Sequence, residues 1–362
     1  MTQRVNKSLL MLNFFLREHQ HSNVSISPQG LWQLLNMIYK GAIGYTKELL
    51  DQYLQGFTPS TNLKSINDLV IREGITIDED FRQKLESLGA EVQSVDFQDL
   101  PCCKAAAEKI NKRTAEATND MITHAIEPDC FGRYSVALLV NTIYFNKNWE
   151  NKFELNGTIH FTTAMSQVKP VEAMCTDIYT RYTETIYAQA VALPYINSNG
   201  TKTEMIVIVP KDSFKPACLS LEQMAELLNK MKSSLIENVL VKMPAFRIES
   251  DLMELRGPLC STSMGLEALF KKVSMKMGGA YVKDEFHISD MTQKVVIEVD
   301  EKGTEAAAVT CAMMTDGLND SQLPKKVTCD KPFMYMIVDY KDEQSELDIL
   351  FAGQVADPTN RG

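Results

Sequence analysis

The chain has 362 residues, of which 44% are hydrophobic and 23% are charged, and its formal net charge is −10 at pH 7. This composition is that of a folded globular protein and excludes a disordered, collagen-like or coiled-coil chain as the main architecture. The acidic balance argues against nucleic acid as the main partner, because binding phosphates requires a basic surface.

The first predicted element is an amphipathic helix. Its apolar residues repeat at the spacing of one helical face: Leu9, Leu12, Phe15 and Leu16. A short signal peptide is the alternative interpretation, but Asn13 interrupts the apolar stretch, and polar residues 17–21 follow instead of a small-residue cleavage site. Since no apolar run approaches the ~20 residues that span a bilayer, we expect a soluble protein without membrane insertion.

Helical periodicity continues early in the chain, and strand-like segments follow. Helices are predicted at 31–39, 46–55 and 104–114, with Ser27 and Pro28 as the start signal of the first. Residues 136–145 are almost continuously apolar and rich in β-branched side chains, which is typical of a buried central strand. Further strands are predicted at 205–209, 239–243, 295–299, 334–338 and 347–355. Helices early and strands late favour an α+β fold.

The cysteines and the glycosylation sequons indicate different compartments. Eight cysteines are scattered without a CxxC pair, which fits neither a disulfide scaffold nor a zinc site and suggests a reducing compartment. Asn-x-Ser/Thr sequons, which matter only in a secreted chain, begin at Asn6, Asn23, Asn156, Asn199 and Asn319. Localisation stays open between the cytoplasm and secretion without a cleavable signal peptide.

The sequence lacks the common enzyme motifs GxGxxG, GxxxxGK[ST], HExxH and GxSxG. His19 and His21 lie close together, but no third ligand group is nearby, so we interpret them as part of a polar loop after the first helix. We therefore expect no catalytic residue, no metal and no cofactor in this chain.

The segment between the strand at 295–299 and the strand at 334–338 is unusually long for a connection in a compact domain. Such segments are usually functional or disordered. Small side chains occupy alternate positions of its first half: Thr304, Ala306, Ala308, Thr310 and Ala312. A row of small residues with a period of two fits a latent strand that enters a sheet without overpacking the core. An Ala-rich helix followed by a flexible tail is the equal alternative from composition alone.

Taken together, these segments resemble the serpin family over essentially the whole chain. Residues 299–308 match the proximal hinge of that family, and residues 327–337 match its C-terminal signature. Further matching segments are 23–28, 41–46, 139–145 with Trp149 and Phe153, 193–195, 264–265 and 349–353. The resemblance implies one serpin domain over residues 1–362, with an α+β fold of three β-sheets, eight to nine helices and an exposed reactive-centre loop at about 301–326.

The resemblance also implies a function, which is suicide inhibition of a serine protease. The protease attacks the loop and forms an acyl-enzyme, after which the cleaved loop inserts as an extra strand in the large sheet and distorts the protease. The chain itself is then not an enzyme. A non-inhibitory serpin that acts as a binding or chaperone module is the alternative. Inhibition is favoured, because Gly303 provides a pivot and the alternate small residues from Thr304 to Ala312 are compatible with insertion after Glu301.

The scissile bond is predicted less sharply than the hinge. Counting at family spacing from Glu301 places it after Gly317, which offers a specificity pocket nothing to hold. A hinge one residue longer presents Leu318, which suits a chymotrypsin- or elastase-like protease, whereas Asp316 suits caspase- or granzyme-like enzymes. Lys325 and Lys326 would suit trypsin-like enzymes. We favour Leu318, followed by Asn319.

The resemblance finally assigns residues beneath the opening sheet. Ser27, Gly30, Asn141, Gln293 and Trp149 correspond to the shutter and breach regions, with Gly30 and Gln293 in place of the usual Ser and His. We expect Gln293 to fill the gap left by the missing hydroxyl, to bond Asn141, and to remove any pH dependence due to a histidine. The basic helix of heparin-activated members has no counterpart between Gly56 and Asp96, so we expect no heparin activation. We also expect a monomer. The N-terminus, which we expect to lack a cleavable signal, resembles that of the ovalbumin-like branch of the family, whose members are intracellular or leave the cell by an unconventional route.

Overall fold

The computed structural model describes residues 3–197, 200–211, 215–261, 263–275, 277–278, 286–303, 323–342 and 345–360. Seven α-helices lie in these ranges: α1 (Gln3–Glu18), α2 (Pro28–Gly41), α3 (Gly44–Leu54), α4 (Glu79–Ser87), α5 (Leu100–Thr118), α6 (Leu221–Ser233) and α7 (Arg256–Cys260). Eight to nine helices were expected from the family. Between α3 and the next strand, residues 55–63 form only turns and coil, because this segment is too short for a further helix with its connections.

The strands of the described residues are β1 (Val24–Ile26), β2 (Lys64–Arg72), β3 (Thr76–Ile77), β4 (Ala90–Val95), β5 (Ala137–Tyr144), β6 (Glu154–Thr162), β7 (Val168–Glu184), β8 (Ala188–Pro194), β9 (Lys202–Pro210), β10 (Ile236–Pro244), β11 (Phe246–Glu249), β12 (Met253–Glu254), β13 (Met277–Gly278), β14 (Asp290–Val299), β15 (Lys325–Thr328), β16 (Phe333–Tyr340) and β17 (Asp348–Val355). The predicted α+β class is confirmed.

Local sequence signals explain where several helices begin. Ser27 caps α2 by accepting a hydrogen bond from the Gly30 N–H, and Pro28 occupies the first helical turn, as predicted. Asp99 caps α5 in the same way, and this helix ends at Asn119, whose left-handed backbone stops it. In α6, Ser220 and Gln223 form a reciprocal capping box.

The described residues fall into two compact units. The first comprises Met1–Ile26, Phe145–Ser250 and Ile297–Gly362. Its sheet has the strand order β1-β17-β16-β9-β8-β7-β10-β15, with β6 paired to β7. Helices α1 and α6 pack on this unit, and the predicted apolar face of α1 is buried against it. The expectation of a single domain over the whole chain stays a prediction.

The second unit comprises Ser27–Tyr144 and Asp251–Val296. Its sheet contains β14, β5, β2 and β4 in that order, and β12 pairs with β14. The pairs β14/β5 and β2/β4 are parallel, whereas β2 and β5 are antiparallel. Helix α2 packs on β2 and β5, and α5 packs on β2 and β4.

Candidate functional site

The central feature of the second unit is the direct parallel pairing of β5 and β14, which we call the seam. The register runs from Asp290 opposite Leu138 to Val296 opposite Tyr144. All eight residues of β5 are buried, as the continuous apolar sequence predicted and as parallel strands require. Strand β14 leads directly into the predicted hinge segment, which begins after Val299.

A row of side-chain amides crosses the seam. Asn141 lies opposite both Gln293 of β14 and Asn67 of β2. Gln293 Nε2 donates to Asn141 Oδ1 over 2.9 Å, Asn141 Nδ2 donates to Asn67 Oδ1 over 2.8 Å, and Asn67 Nδ2 donates to Gln33 Oε1 over 3.1 Å. We call these four residues the amide ladder. The contact between Gln293 and Asn141 that the sequence indicated is present, while the participation of Asn67 and Gln33 was not predicted.

Ser27 attaches the start of α2 to this ladder, and Gly30 leaves space for it. The Ser27 N–H donates to Gln293 Oε1 over 2.8 Å, and Gln293 Nε2 donates to the Ser27 carbonyl over 3.0 Å. A Cβ atom at position 30 would lie 2.2 Å from Asn141 Oδ1 and 2.6 Å from Gln293 Nε2. The glycine therefore makes the room in which the longer glutamine side chain reaches Asn141.

Helix α5 is fastened to the same sheet by a charged cluster. Arg113 Nη1 donates to Asp68 Oδ1 of β2 over 2.6 Å and to Glu91 Oε2 of β4 over 2.9 Å. Burial raises the pKa of Asp68 to about 6, although the neighbouring Arg113 cation opposes this shift. The sequence did not indicate this cluster, because its members lie 22 and 45 positions apart along the chain.

The segment after α5 covers the seam itself. Ile122 is fully buried and forms one apolar cluster with Tyr144 of β5 and Val296 of β14. Thr118 Oγ1 accepts a hydrogen bond from the Ile122 N–H over 3.1 Å. Asn111 Oδ1 accepts from the N–H groups of residues 125 and 126. This cluster therefore includes a residue from each strand of the seam and one from the segment after α5.

In the first unit, residues 300–303 form a tight turn, which we call the hinge turn. Asp300 Oδ1 accepts hydrogen bonds from the N–H groups of Lys302 and Gly303, over 2.8 and 3.1 Å. The Asp300 N–H donates to the Gly303 carbonyl over 3.0 Å. Burial raises the pKa of Asp300, and the hydrogen bond from Lys302 partly offsets this effect. One carboxylate thus organises the turn.

Gly303 combines a special backbone conformation with a close approach. Its φ is +138°, a value that side-chain-bearing residues rarely adopt. A Cβ atom there would lie 2.4 Å from Asn148 Cα, 2.5 Å from the Lys147 carbonyl oxygen and 2.7 Å from Trp149 N. The sequence predicted a pivot at Gly303 from its conformational freedom. The structure also shows why position 303 has no room for a side chain: the hinge turn lies directly against the backbone of residues 147–149.

Trp149 holds the hinge turn in place. Its Nε1 donates to the Asp300 carbonyl over 2.9 Å, and its backbone N–H donates to the Lys302 carbonyl over 3.1 Å. The indole stacks on the Tyr195 ring with the centroids 4.3 Å apart. The N–H of Phe153 donates to the Glu301 carbonyl over 2.8 Å. Of the predicted hinge residues, Glu301 is therefore held by Phe153, and Gly303 pairs with Asn148. The predicted Trp149 bonds the carbonyl groups of Asp300 and Lys302, which are their neighbours in the turn.

Some predicted residues lie outside the described part of the chain. These are the insertion row Thr304, Ala306, Ala308, Thr310 and Ala312, and the cleavage candidates Asp316, Gly317 and Leu318. Among the described residues, no group of three or more His, Cys, Asp or Glu side chains could hold a metal ion. No helix within those ranges is long and apolar enough to cross a membrane.

This chain is similar to known proteins in both its sequence and its fold. A family model described as "Serpin (serine protease inhibitor)" matches residues 49–358. Serine protease inhibitor 42Dd of Drosophila melanogaster is 27% identical over 370 residues, which cover 94% of this chain and 93% of that protein. Antithrombin-III of Mus musculus is 31% identical over 308 residues, which cover 83% of this chain and 63% of that protein.

Solved structures agree with this likeness at the level of the fold. Serpin48 of the insect Tenebrio molitor has a TM-score of 0.77 at 23% identity, covering 98% of this chain and 97% of its own. The native stressed conformation of Arabidopsis AtSerpin1 has a TM-score of 0.76 at 20% identity, covering 99% and 97%.

Proposed function

The chain belongs to the serpin family, whose curated relatives in the comparison include protease inhibitors, and on this premise we propose that it traps a serine protease by inserting its cleaved loop into the seam. The observation that carries the proposal is the continuity of the parallel seam with the hinge turn. Strand β14 pairs directly with β5 and ends at Val299, and the docked hinge turn follows at Asp300. The next residues of the sequence are the alternating small ones.

The chemistry of the cut belongs to the protease. Its serine oxygen attacks the carbonyl carbon of the scissile residue and forms an acyl ester, while the new amino terminus leaves with the segment that continues into β15. The part of the loop that remains attached to the hinge turn is then free to move. In our proposal it enters the seam as a strand and carries the acylated protease with it before water hydrolyses the ester.

The driving force follows from ordinary sheet energetics. An inserted strand forms backbone hydrogen bonds with both β5 and β14, which replace the single set between them. Its inward side chains become buried, at about 25 cal/mol per Å² of apolar surface removed from water. Small side chains at alternate positions suit this insertion, because the interior of the sheet is already filled and larger groups would overpack it.

Insertion also requires three contacts of the described structure to break. The Gln293–Asn141 hydrogen bond must open, Ile122 must leave the seam, and the hinge turn must detach from Trp149. These contacts set a barrier that keeps the sheet closed until cleavage releases the loop. In this account the amide ladder holds the seam without any titrating group.

We further propose that the protease is chymotrypsin- or elastase-like and cuts after Leu318. Asp316 and Gly317 remain the alternatives. Asp316 suits the specificity pocket of caspase- or granzyme-like enzymes, whereas Gly317 has no side chain for such a pocket to hold. The trypsin-like option at Lys325 and Lys326 is less favourable, because both residues lie in β15 and pair with Val239 and Leu240 of β10. A protease would have to open that pairing before it could bind the backbone there in extended form.

Activation by heparin is not part of the proposal. Helix α4 is the helix described between Gly56 and Asp96, and its charged side chains are mixed, with three acidic and two basic: Glu79, Asp80, Arg82, Lys84 and Glu86. A sulfated chain needs a cluster of positive charge. We expect the protein to act as a monomer with a serine protease as its partner.

The test is incubation of the full chain with chymotrypsin, elastase, trypsin and a caspase, followed by denaturing electrophoresis and mass analysis. We expect a complex with chymotrypsin or elastase that survives denaturant, together with a released C-terminal fragment beginning at Asn319. Cleavage by all four enzymes without any covalent adduct would contradict the inhibitory function and favour the alternative of a binding or chaperone module.

A further inference from the structure

A cavity of about 100 Å³ lies in the second unit between α2, the loop that precedes β2, and β2 itself. Its wall includes the polar side chains of Gln33, Asn36, Ser60, Ser65 and Asn67 and the apolar side chains of Met37, Pro59 and Leu88. The described side chains that line it are all uncharged. Since Gln33 and Asn67 also belong to the amide ladder, the cavity is the end point of the hydrogen-bonded row that crosses the seam.

The donor-to-acceptor direction of the hydrogen bonds in the ladder determines which polar group faces the cavity. The backbone N–H of Ser27 can only donate, so the Gln293 side chain must offer it Oε1 and turn its NH₂ group to Asn141. Each following amide is oriented in the same way. Asn141 accepts through its oxygen and donates its NH₂ group to Asn67, and Asn67 in turn donates to Oε1 of Gln33. The ladder therefore ends in a hydrogen-bond donor, the Gln33 NH₂ group, at the cavity wall.

Other polar groups on the wall also lack a protein partner. Asn36 has only 9% of its surface exposed, and within the described ranges its side-chain amide makes no hydrogen bond. The same holds, among these residues, for the Ser65 hydroxyl and for Gln33 Nε2. None of these atoms belongs to the fully buried, unpaired polar atoms of the described residues, so water reaches them, and the hydroxyl groups of a ligand can replace that water.

We propose that this cavity binds a small neutral polyol of about three carbons, for which glycerol is the probe. Its volume is about that of three water molecules in the liquid and is smaller than the ~150 Å³ that holds a benzene ring. The uncharged wall excludes an ion, whose burial would go uncompensated. Hydroxyl groups both accept from Gln33 and satisfy the amide of Asn36, while a carbon skeleton covers Met37 and Leu88 better than water does.

Occupancy has a consequence for the seam. A ligand that accepts from Gln33 completes the ladder, and hydrogen bonds in a chain strengthen one another. The ligand also joins α2 to β2 and binds only the closed, folded arrangement, so it stabilises that arrangement by mass action. This consequence rests on the proposed function, because it states that the ligand slows the opening of the seam, whereas binding itself does not depend on that function.

Binding is tested by saturation-transfer NMR of glycerol with the intact protein, with sorbitol, which is too large for the cavity, as the control ligand. We expect saturable transfer to glycerol but not to sorbitol. In N36L the dissociation constant should rise about fivefold or more, because one hydrogen-bonding group is lost. S65A provides a second, smaller perturbation if N36L does not fold. Equal transfer in wild type and S65A or N36L, or only water in the cavity, would overturn the proposal.

The effect on the seam is measured separately as the uptake rate of a synthetic peptide of residues 304–315. Glycerol should slow uptake by the wild type more than by N36L. Saturable binding without any difference in uptake would overturn the coupling to the seam and leave the site intact. A wild-type protein that takes up no peptide, with or without glycerol, would instead contradict the proposed insertion mechanism.

Discussion

Gln293 Nε2 donates a 2.9 Å hydrogen bond to Asn141 Oδ1, and the two residues stand directly opposite each other in the parallel register of β14 and β5. This bond lies between the two strands that the proposed insertion would separate. Both side chains are completely buried and neither titrates in the physiological range. The closed state of the sheet is therefore held at its centre by a contact that does not respond to pH.

The variant Q293H is expected to introduce the pH response that the wild type lacks at this point. A neutral imidazole can accept from the Ser27 N–H and donate to Asn141, but a protonated ring only donates, so Ser27 loses its acceptor. Burial lowers the pKa of such a histidine, and its contribution to the closed state is lost as the pH falls through that pKa. Relative to wild type, peptide uptake by Q293H should accelerate about threefold or more between about pH 8 and pH 5.5. An unchanged ratio would show that this contact does not limit opening.

Asp68 supplies a pH response of the opposite sign. Burial raises the pKa of this carboxyl to about 6, above its value in the unfolded chain, so the folded protein binds the proton more tightly. Its contribution to stability is present at low pH and is lost as the pH rises from about 4 to 6, amounting to at most about 3 kcal/mol.

The measurement is urea unfolding of wild type and D68N at about pH 4.5 and pH 7.5. D68N cannot lose a proton at this position, so its stability relative to wild type should increase at the higher pH. The control is E91Q, which alters the partly exposed second carboxylate that Arg113 contacts. If the difference between D68N and wild type is the same at both pH values, Asp68 does not titrate in this range.

Ile122 is expected to be the most sensitive apolar contact of the seam. The I122A variant removes a fully buried side chain from the cluster that it forms with Tyr144 and Val296, which should destabilise the closed state by about 2–5 kcal/mol. Peptide uptake should accelerate, and the melting temperature should fall. M121A is the matched control, since Met121 is its partly buried neighbour and should have a smaller effect. Equal changes in uptake rate and melting temperature for the two variants would show that Ile122 does not stabilise the seam more than its neighbour does.

Gly303 is expected to tolerate no side chain while the hinge turn is docked. In G303A the new Cβ meets backbone atoms of residues 147–149 at 2.4–2.7 Å, and the positive φ adds strain, so docking should weaken by about 2 kcal/mol or more. The fluorescence of Trp149 reports this directly in a W32F background, since the chain has only two tryptophans. K302A serves as the control, and an emission spectrum of G303A identical to that of K302A would contradict the docking.

The sequence predicts a structural feature well when the residues that determine this feature lie in one short segment. The buried face of α1 and the continuous apolar run of β5 were predicted correctly, because burial imposes a period that one segment displays alone. Strand β7 was missed, since its buried and exposed positions alternate only in part over 17 residues. The Asn141–Gln293 contact was predicted through the family resemblance, and the hinge, which has the same source, stays a prediction.

The contacts made between distant segments could not be predicted in the same way. Arg113 and Asp68 carry ordinary surface charges in the sequence, and only the fold brings α5 across β2. Ile122 follows the end of a helix without periodicity, so nothing local marks it as buried. The direction of the amide ladder, and hence the donor that faces the cavity, depends on the backbone N–H of Ser27.

The central claim is that the loop enters the seam as a strand whose even-numbered side chains face inward. It is tested most directly by the fraction of covalent protease complex formed by A306R and A307R, which place the same charge on adjacent residues. We expect A306R to be cleaved without forming a stable complex, because a buried arginine blocks insertion, whereas A307R should form the complex nearly as well as wild type. Equal complex formation by the two variants would contradict insertion of this segment as a strand.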